Sequence, residues 1–160
     1  MTIKAGDRLP DAKLVKMTSE GPKTLTTKEI FGGKKVALFA VPGAYTPTCS
    51  AKHLPGYVQN AGELRKKGID EVVCVSVNDA FVMGAWGKDQ KAEGKVTLLA
   101  DGNGDFTKAL GLDLDARGFG MGTRSKRYSM IVDDGVVKKL NVEAPSEFKV
   151  SSAEFMMSQL

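Results

Sequence analysis

Val36-Ala-Leu-Phe-Ala-Val41-Pro42-Gly43-Ala44-Tyr45-Thr46-Pro47-Thr48-Cys49 begins as an apolar run, breaks at a proline-glycine pair and resumes with the signals of a helix start. Lys35 to Val41 reads as a buried strand. Thr46 is an N-cap residue by type, and Pro47 suits the first helical position, where a missing N–H costs nothing. Cys49 then falls at the third helical position. In a first turn the free backbone N–H groups point outward and the helix dipole presents its positive end. An anion is favoured there, so the position suits a reactive thiolate.

Working outward, Leu54, Tyr57, Val58, Ala61 and Leu64 recur at helical spacing between Pro47 and about Lys67, and Gly68 stops the pattern. Pro55 lies inside it and predicts a kink. Glu71 to Val77 reads as a second buried strand, and Asp79 or Asn78 as the cap of a helix carrying Phe81, Val82, Ala85 and Trp86. Val96 to Ala100 predicts a third strand, and Asp105 to Leu110 a short helix closed by Gly111. Arg117-Gly-Phe119-Gly-Met-Gly122 reads as a long surface loop before the next strand. Lys126 to Val132 and Val136 to Val142 flank Asp133-Asp134-Gly135, a strong hairpin signal, and Ser151 to Leu160 offers a final helix. The first thirty or so residues read as an irregular N-terminal addition with a hairpin.

Strands alternating with helices predict an α/β fold with a mainly parallel central sheet, flanking helices and a late antiparallel hairpin. That order resembles a thioredoxin-like fold. No repeat, low-complexity segment or linker divides the chain, so residues 1–160 are expected to form one domain.

The chain of 160 residues is 42% apolar and 26% charged, the composition of a globular protein able to bury a core. Its beginning has no apolar h-region, and the longest apolar run, Val36 to Val41, is too short to cross a bilayer. The expectation is a cytoplasmic protein without a membrane association. Two cysteines, Cys49 and Cys74, give no disulfide framework and are expected to rest as thiols. The net charge of +4 comes from 23 basic residues scattered among 19 acidic ones. Lys34-Lys35, Arg65-Lys66-Lys67 and Arg124-Ser-Lys126-Arg127 are small clusters without interleaved aromatics, so nucleic acid is not an expected partner.

Cys74 contrasts with Cys49: it lies in Val-Val-Cys-Val-Ser-Val and reads as core, where burial raises a thiol pKa and withholds the thiolate. A disulfide between the two requires Cα atoms within about 7 Å and is not expected. His53 stands four residues after Cys49 and suggests a Cys-His dyad or half a metal site. Too few further ligands exist for zinc, the dyad has no evident orienting partner, and His53 reads as a helix-surface residue. Gly118-Phe-Gly-Met-Gly122 lacks the context of a nucleotide loop.

Pro42-Gly-Ala-Tyr-Thr46-Pro-Thr-Cys49-Ser-Ala-Lys-His53-Leu-Pro55-Gly56-Tyr57 resembles the active-site signature of peroxiredoxins of the type II, or peroxiredoxin-five-like, subfamily. The resemblance extends through Gly6-Asp-Arg-Leu-Pro10, Asp101-Gly-Asn-Gly-Asp-Phe106, Lys126-Arg127-Tyr-Ser-Met130 and Asn141-Val-Glu143 and covers nearly the whole chain. It implies a thiol-dependent peroxidase acting on hydrogen peroxide and organic hydroperoxides. By that resemblance Cys49 is the peroxidatic nucleophile, Thr46 hydrogen-bonds the peroxide, Pro42 shields the site, Arg127 activates sulfur and substrate, and Thr48 joins Thr46, Cys49 and Arg127 in binding it. The residues alone do not choose Arg127 over Arg124 and Lys126.

An ordinary thiol of pKa about 8.5 is about 3% ionised at pH 7, so full ionisation gains only about thirtyfold. The remainder must come from donors that stabilise charge on the departing oxygen, each contributing about 10²–10³-fold. Relatives with a resolving cysteine near the C-terminus differ from this chain, whose Phe148-Lys-Val150-Ser151-Ser152 has none. The resemblance therefore implies a one-cysteine cycle without a cofactor, recycled by an external thiol: glutathione with glutaredoxin, the alternative being thioredoxin. It also implies a homodimer, with Phe81, Met83, Trp86 and Phe119 as interface candidates or simple core. The rival readings are a redox-responsive binding or chaperone-like module, and a dithiol oxidoreductase, disfavoured because no Cys-x-x-Cys occurs.

Overall fold

The computed structural model describes residues 2–160; Met1, the first residue of the expected domain, lies outside them. β1 (Lys13–Thr18) and β2 (Gly21–Thr26) lead into α1 (Thr27–Phe31). Strands and helices then alternate as β3 (Lys35–Val41), α2 (Leu54–Lys66), β4 (Glu71–Ser76), α3 (Ala80–Asp89), β5 (Thr97–Ala100) and α4 (Asp105–Leu110). β6 (Asp113–Asp115), β7 (Thr123–Ser125), β8 (Tyr128–Asp133), β9 (Val136–Val142) and α5 (Ala153–Ser158) complete the chain. The main sheet has the order β2-β1-β5-β4-β3-β8-β9, and β6 pairs with β7 in a separate ribbon.

The sheet is mixed rather than mainly parallel. β3, β4 and β5 are mutually parallel at its centre, while every pairing outside them is antiparallel. The N-terminal segment causes half of the difference: its hairpin docks Val15 opposite Ala100 and becomes one edge of the sheet. Its outer strand, Gly-Pro-Lys-Thr-Leu-Thr, is nowhere fully buried and so carries no buried-strand pattern. The glycine-rich segment is likewise not a plain loop. It is the tip of the β6–β7 ribbon, turned by a short 3₁₀ segment at Arg117–Phe119, and its three-residue strands are too short to announce themselves by periodicity.

The central strands bury both faces, which is why they read as continuous apolar runs. Along β3, Ala37, Phe39 and Val41 pack with Leu54, Tyr57 and Leu64 of α2, Trp86 of α3 and Met156 of α5. Val36, Leu38 and Ala40 point the other way, toward Phe31, Phe106 and Leu110 of α1 and α4. Asp79 caps α3 by accepting from the Val82 N–H at 2.8 Å. Asp134 and Gly135, both at positive φ, make the β8–β9 turn that the Asp-Gly pair predicts. Met83 and Trp86 are core, 1% and 0% exposed, because α3 presents that stripe to the sheet; Phe81 and Phe119 are exposed. Among the described residues no helix is long and apolar enough to cross a membrane.

Candidate active site

The loop after β3 is held from several sides. The Ala44 N–H donates to Asn78 Oδ1 at 3.0 Å, and Tyr45, at φ 65°, donates its hydroxyl to Asp89 at 2.6 Å. Gly43 sits in a close-packed spot: a Cβ there would lie 3.1 Å from Arg124 Nη1 and 3.2 Å from Thr46 Cγ2, so either side chain would have to shift by a few tenths of an ångström. Thr46 does not cap the helix with its side chain. Its hydroxyl donates instead to the Gly43 carbonyl at 2.7 Å, which leaves oxygen lone pairs able to accept from a peroxide O–H.

The helix begins where expected, at Pro47, with the Ser50 N–H donating to the Thr46 carbonyl at 3.0 Å and Cys49 as its third residue, but it continues as a π turn instead of a regular α-helix with a kink. Cys49–His53 forms a π turn, with the Leu54 N–H bonded to the Cys49 carbonyl, and α2 starts after it. Pro55 therefore sits at the start of α2, where its missing N–H is tolerated, instead of kinking its interior. Cys49 is fully buried.

Arg127 arrives from the far end of the chain. β8 runs antiparallel to β3 with Tyr128 opposite Ala40, so the preceding residue reaches the point where β3 ends and the Pro42–Cys49 segment begins. Its Nη2 donates to Cys49 Sγ at 3.0 Å, and its Nη1 to His53 Nδ1 at 2.8 Å. The other two basic residues of the cluster go elsewhere. Arg124 donates to the Met121 and Val77 carbonyls, and Lys126 is exposed on the rim of the pocket.

His53 is not on the helix surface. It is fully buried, its ring centroid 4.8 Å from that of Phe39 and 5.0 Å from that of Phe148. Since a guanidinium only donates, Nδ1 is the acceptor and the proton sits on Nε2, which donates to the Ser151 carbonyl at 2.9 Å. The signal for this was available: His53, Tyr57, Ala61 and Leu64 form one stripe at helical spacing, all buried. Cys74 is fully buried on β4 opposite Phe39, and burial pushes its thiol well above the ordinary range, with the nearby Cys49 adding to the rise.

A cavity of about 340 Å³ opens beside Cys49, lined by Pro42, Thr48 and Arg127 together with Leu114, Phe119, Met121, Val142 and Phe148. Pro42 and Thr48 are thus at the approach, and Arg127 reaches from the cavity wall to the buried sulfur. A thiol with a charged donor on its sulfur, an acceptor hydroxyl nearby and a small, largely apolar vestibule suits nucleophilic attack on a small electrophilic oxygen.

The Redoxin family model matches residues 4–156. The chain belongs to this family and is a peroxiredoxin. It is 54% identical over 163 residues to chloroplastic Peroxiredoxin-2E of Arabidopsis thaliana, covering 99% of this chain and 70% of that protein. It is 46% identical to Peroxiredoxin-2B of the same plant, covering 99% and 98%. The structure of reduced Prx3 from Vibrio vulnificus in complex with H₂O₂ superposes with a TM-score of 0.95 at 56% identity, over 99% of both chains. Thiol-dependent peroxidase activity and a thioredoxin-like peroxiredoxin fold follow, with peroxide as substrate and a thiol as reductant. Membership of an enzyme family sets aside the purely binding module.

Inside this peroxiredoxin His53 is no base at neutral pH. Its pKa is lowered to about 3, first by burial and then by the Arg127 charge, against the Ser151 carbonyl bond that favours the proton. In the unfolded chain an imidazole protonates near pH 6.5, so between that value and about pH 3 the unfolded state binds more protons. The stability contributed by neutral His53 is fully present above pH 6.5 and is lost as pH falls, by about 1.4 kcal/mol per pH unit. Denaturant unfolding between pH 7 and pH 4 is expected to show this slope in the wild type and to lose it in His53→Gln. Equal slopes would mean that the imidazole is not held neutral.

Proposed function

We propose that Cys49 is the peroxidatic nucleophile, that Thr46 and Arg127 bind and polarise the peroxide, and that Pro42 and Thr48 shape its approach. The observation that carries this reading is the 3.0 Å bond from Arg127 Nη2 to Cys49 Sγ, a charge-assisted contact made on the thiol by a residue that lines the cavity. The thiolate attacks the distal peroxide oxygen, the O–O bond breaks, and the departing hydroxide or alkoxide takes up a proton as water or alcohol. Cys49 is left as a sulfenic acid. Arg127 donates to the departing oxygen, and the Thr46 oxygen accepts from the hydroperoxide O–H. The apolar walls of Leu114, Met121, Val142 and Phe148 suit the hydrocarbon part of an organic hydroperoxide.

The second half of the cycle is proposed to run through an external thiol. Cys74 is locked in a central strand, and its burial withholds the thiolate needed to attack a sulfenic acid. A first glutathione condenses with the sulfenic acid to a mixed disulfide and water, and glutaredoxin with further glutathione releases the Cys49 thiol. No cofactor enters this one-cysteine cycle. Because Cys49 is fully buried, its surroundings must open to admit a thiol of that size, and it stands at the start of a single-turn π segment, a feature frequent at functional sites. A reducing compartment, the cytoplasm, is the proposed location. The exposed aromatics Phe81 and Phe119 are the proposed contacts of a homodimer.

Mass spectrometry after one equivalent of peroxide, with and without glutathione, tests the route. A glutathione adduct on the Cys49 peptide is expected, with turnover supported by glutaredoxin. A Cys49–Cys74 disulfide in its place, or turnover with thioredoxin alone, would overturn the external glutathione scheme.

A further inference from the structure

We propose that Glu143 is a positioning residue for the peroxide half-reaction, setting the aim of the Arg127 guanidinium through Ser151 and His53. Glu143 directly follows β9 and is buried, 8% exposed, without a Lys or Arg partner among the described residues. A buried carboxylate in that state is costly unless donors surround it. Here they do. Oε2 accepts from the N–H groups of Lys149, Val150 and Ser151, each at 2.8 Å, and from the Ser151 hydroxyl at 2.6 Å, while Oε1 accepts from the Lys149 N–H at 2.9 Å.

These bonds fix the direction of one carbonyl. The Ser151 oxygen receives His53 Nε2 and the Tyr57 hydroxyl, both at 2.9 Å. His53 can offer Nδ1 as an acceptor only while its proton is kept on Nε2 by that carbonyl. Nδ1 receives Arg127 Nη1 at 2.8 Å, and Nη2 of the same guanidinium meets Cys49 Sγ at 3.0 Å. The Glu143 backbone N–H also donates to the Arg127 carbonyl at 2.9 Å. One residue therefore holds Arg127 at both ends, its main chain directly and its guanidinium through two intermediaries.

The inference rests on Arg127 being the donor to Cys49, and its test separates the two. Cys49 oxidation by hydrogen peroxide is followed by stopped flow in the full-length wild type and in Glu143→Gln, His53→Gln, the double variant and Arg127→Met. Glutamine keeps the size and one acceptor oxygen but turns N–H groups toward N–H groups. Glu143→Gln is expected to slow oxidation about ten- to hundredfold, the cost of a small misplacement of a catalytic donor. In the His53→Gln background it is expected to add less than about twofold, because residues acting in series are not additive.

As the chain has one histidine, ¹⁵N–¹H correlation of the imidazole reports His53 alone. The wild type is expected to show only the Nε2–H tautomer at pH 7, and Glu143→Gln a mixture of the two neutral tautomers. A wild-type Nδ1–H tautomer would overturn the proposal even if the variant fails to fold. So would an unchanged oxidation rate in Glu143→Gln, or an equal loss in both backgrounds. A wild-type rate in Arg127→Met would instead strike at the reading of the site itself.

Discussion

Replacing Cys49 by serine is expected to abolish peroxide turnover, whereas Cys74→Ala keeps it within about twofold. A serine hydroxyl does not ionise near neutral pH, and no base stands beside it, since His53 is held neutral with its Nδ1 already bonded to Arg127. Cys74 contributes only packing in the shared core, so its replacement removes one buried sulfur and lowers the unfolding temperature without touching the pocket. Alanine is chosen there because a serine hydroxyl would be buried without an assured partner. Peroxide consumption in the presence of glutathione and glutaredoxin measures the outcome. The sole tryptophan offers a direct signal as well: Trp86 donates its indole N–H to Ser50 Oγ at 3.0 Å, one residue from the nucleophile, so its fluorescence is expected to change when Cys49 is oxidised. Equal loss in Cys49→Ser and Cys74→Ala would refute a one-cysteine attack.

Arg127→Met is expected to lower the second-order rate constant for peroxide about 10²–10³-fold, equivalent to about 2.7–4 kcal/mol of transition-state stabilisation. Methionine keeps the length and an apolar stem for the wall formed by Phe148, whose ring centroid lies 5.9 Å from the guanidinium carbon. It removes the donors to sulfur and to the departing oxygen. Lysine should recover only part of the loss, because a single ammonium does not match the fork that spans Sγ and His53 Nδ1. The variant carries a second signature. Without the guanidinium charge the His53 pKa rises from its wild-type value of about 3, although burial, the larger cause, keeps it below the ordinary range. Stopped-flow oxidation and the titration of the single histidine check both. A rate within about threefold of wild type would remove Arg127 from the mechanism.

The elements legible in the sequence were those whose burial leaves a pattern. Val36 to Val41 and Glu71 to Ser76 read as strands because both faces of the sheet are covered, and Asp134-Gly135 marked its turn because few other pairs tolerate positive φ. The N-terminal hairpin is legible but not its place on the edge of the main sheet, because an edge strand such as β2 need not be apolar, and β6 and β7 are illegible because three residues are too few to show a period. By residue type His53 reads as a surface position, yet its stripe with Tyr57, Ala61 and Leu64 faces inward.

By itself the sequence determined the local half of the site: a strand that ends at Pro42, a glycine loop, Thr46, and a thiol entering a helix, all adjacent in the chain and governed by short-range sterics and hydrogen bonding. Family resemblance added the name of Arg127, but not how it gets there. Tertiary structure alone decided that, through the antiparallel register of β8 on β3, which brings a residue 78 positions away to the sulfur while Arg124 and Lys126, three residues and one residue before it, point elsewhere. It also decided that the Thr46 hydroxyl donates to Gly43 instead of capping, that a π turn follows the first helical residues at Cys49, and that the Ser151 carbonyl, in the loop bonded to Glu143, faces His53. Contacts of this kind depend on which non-neighbouring groups meet, and pairing between distant segments is written in the packing of the whole sheet, not in the spacing of residues along any one stretch.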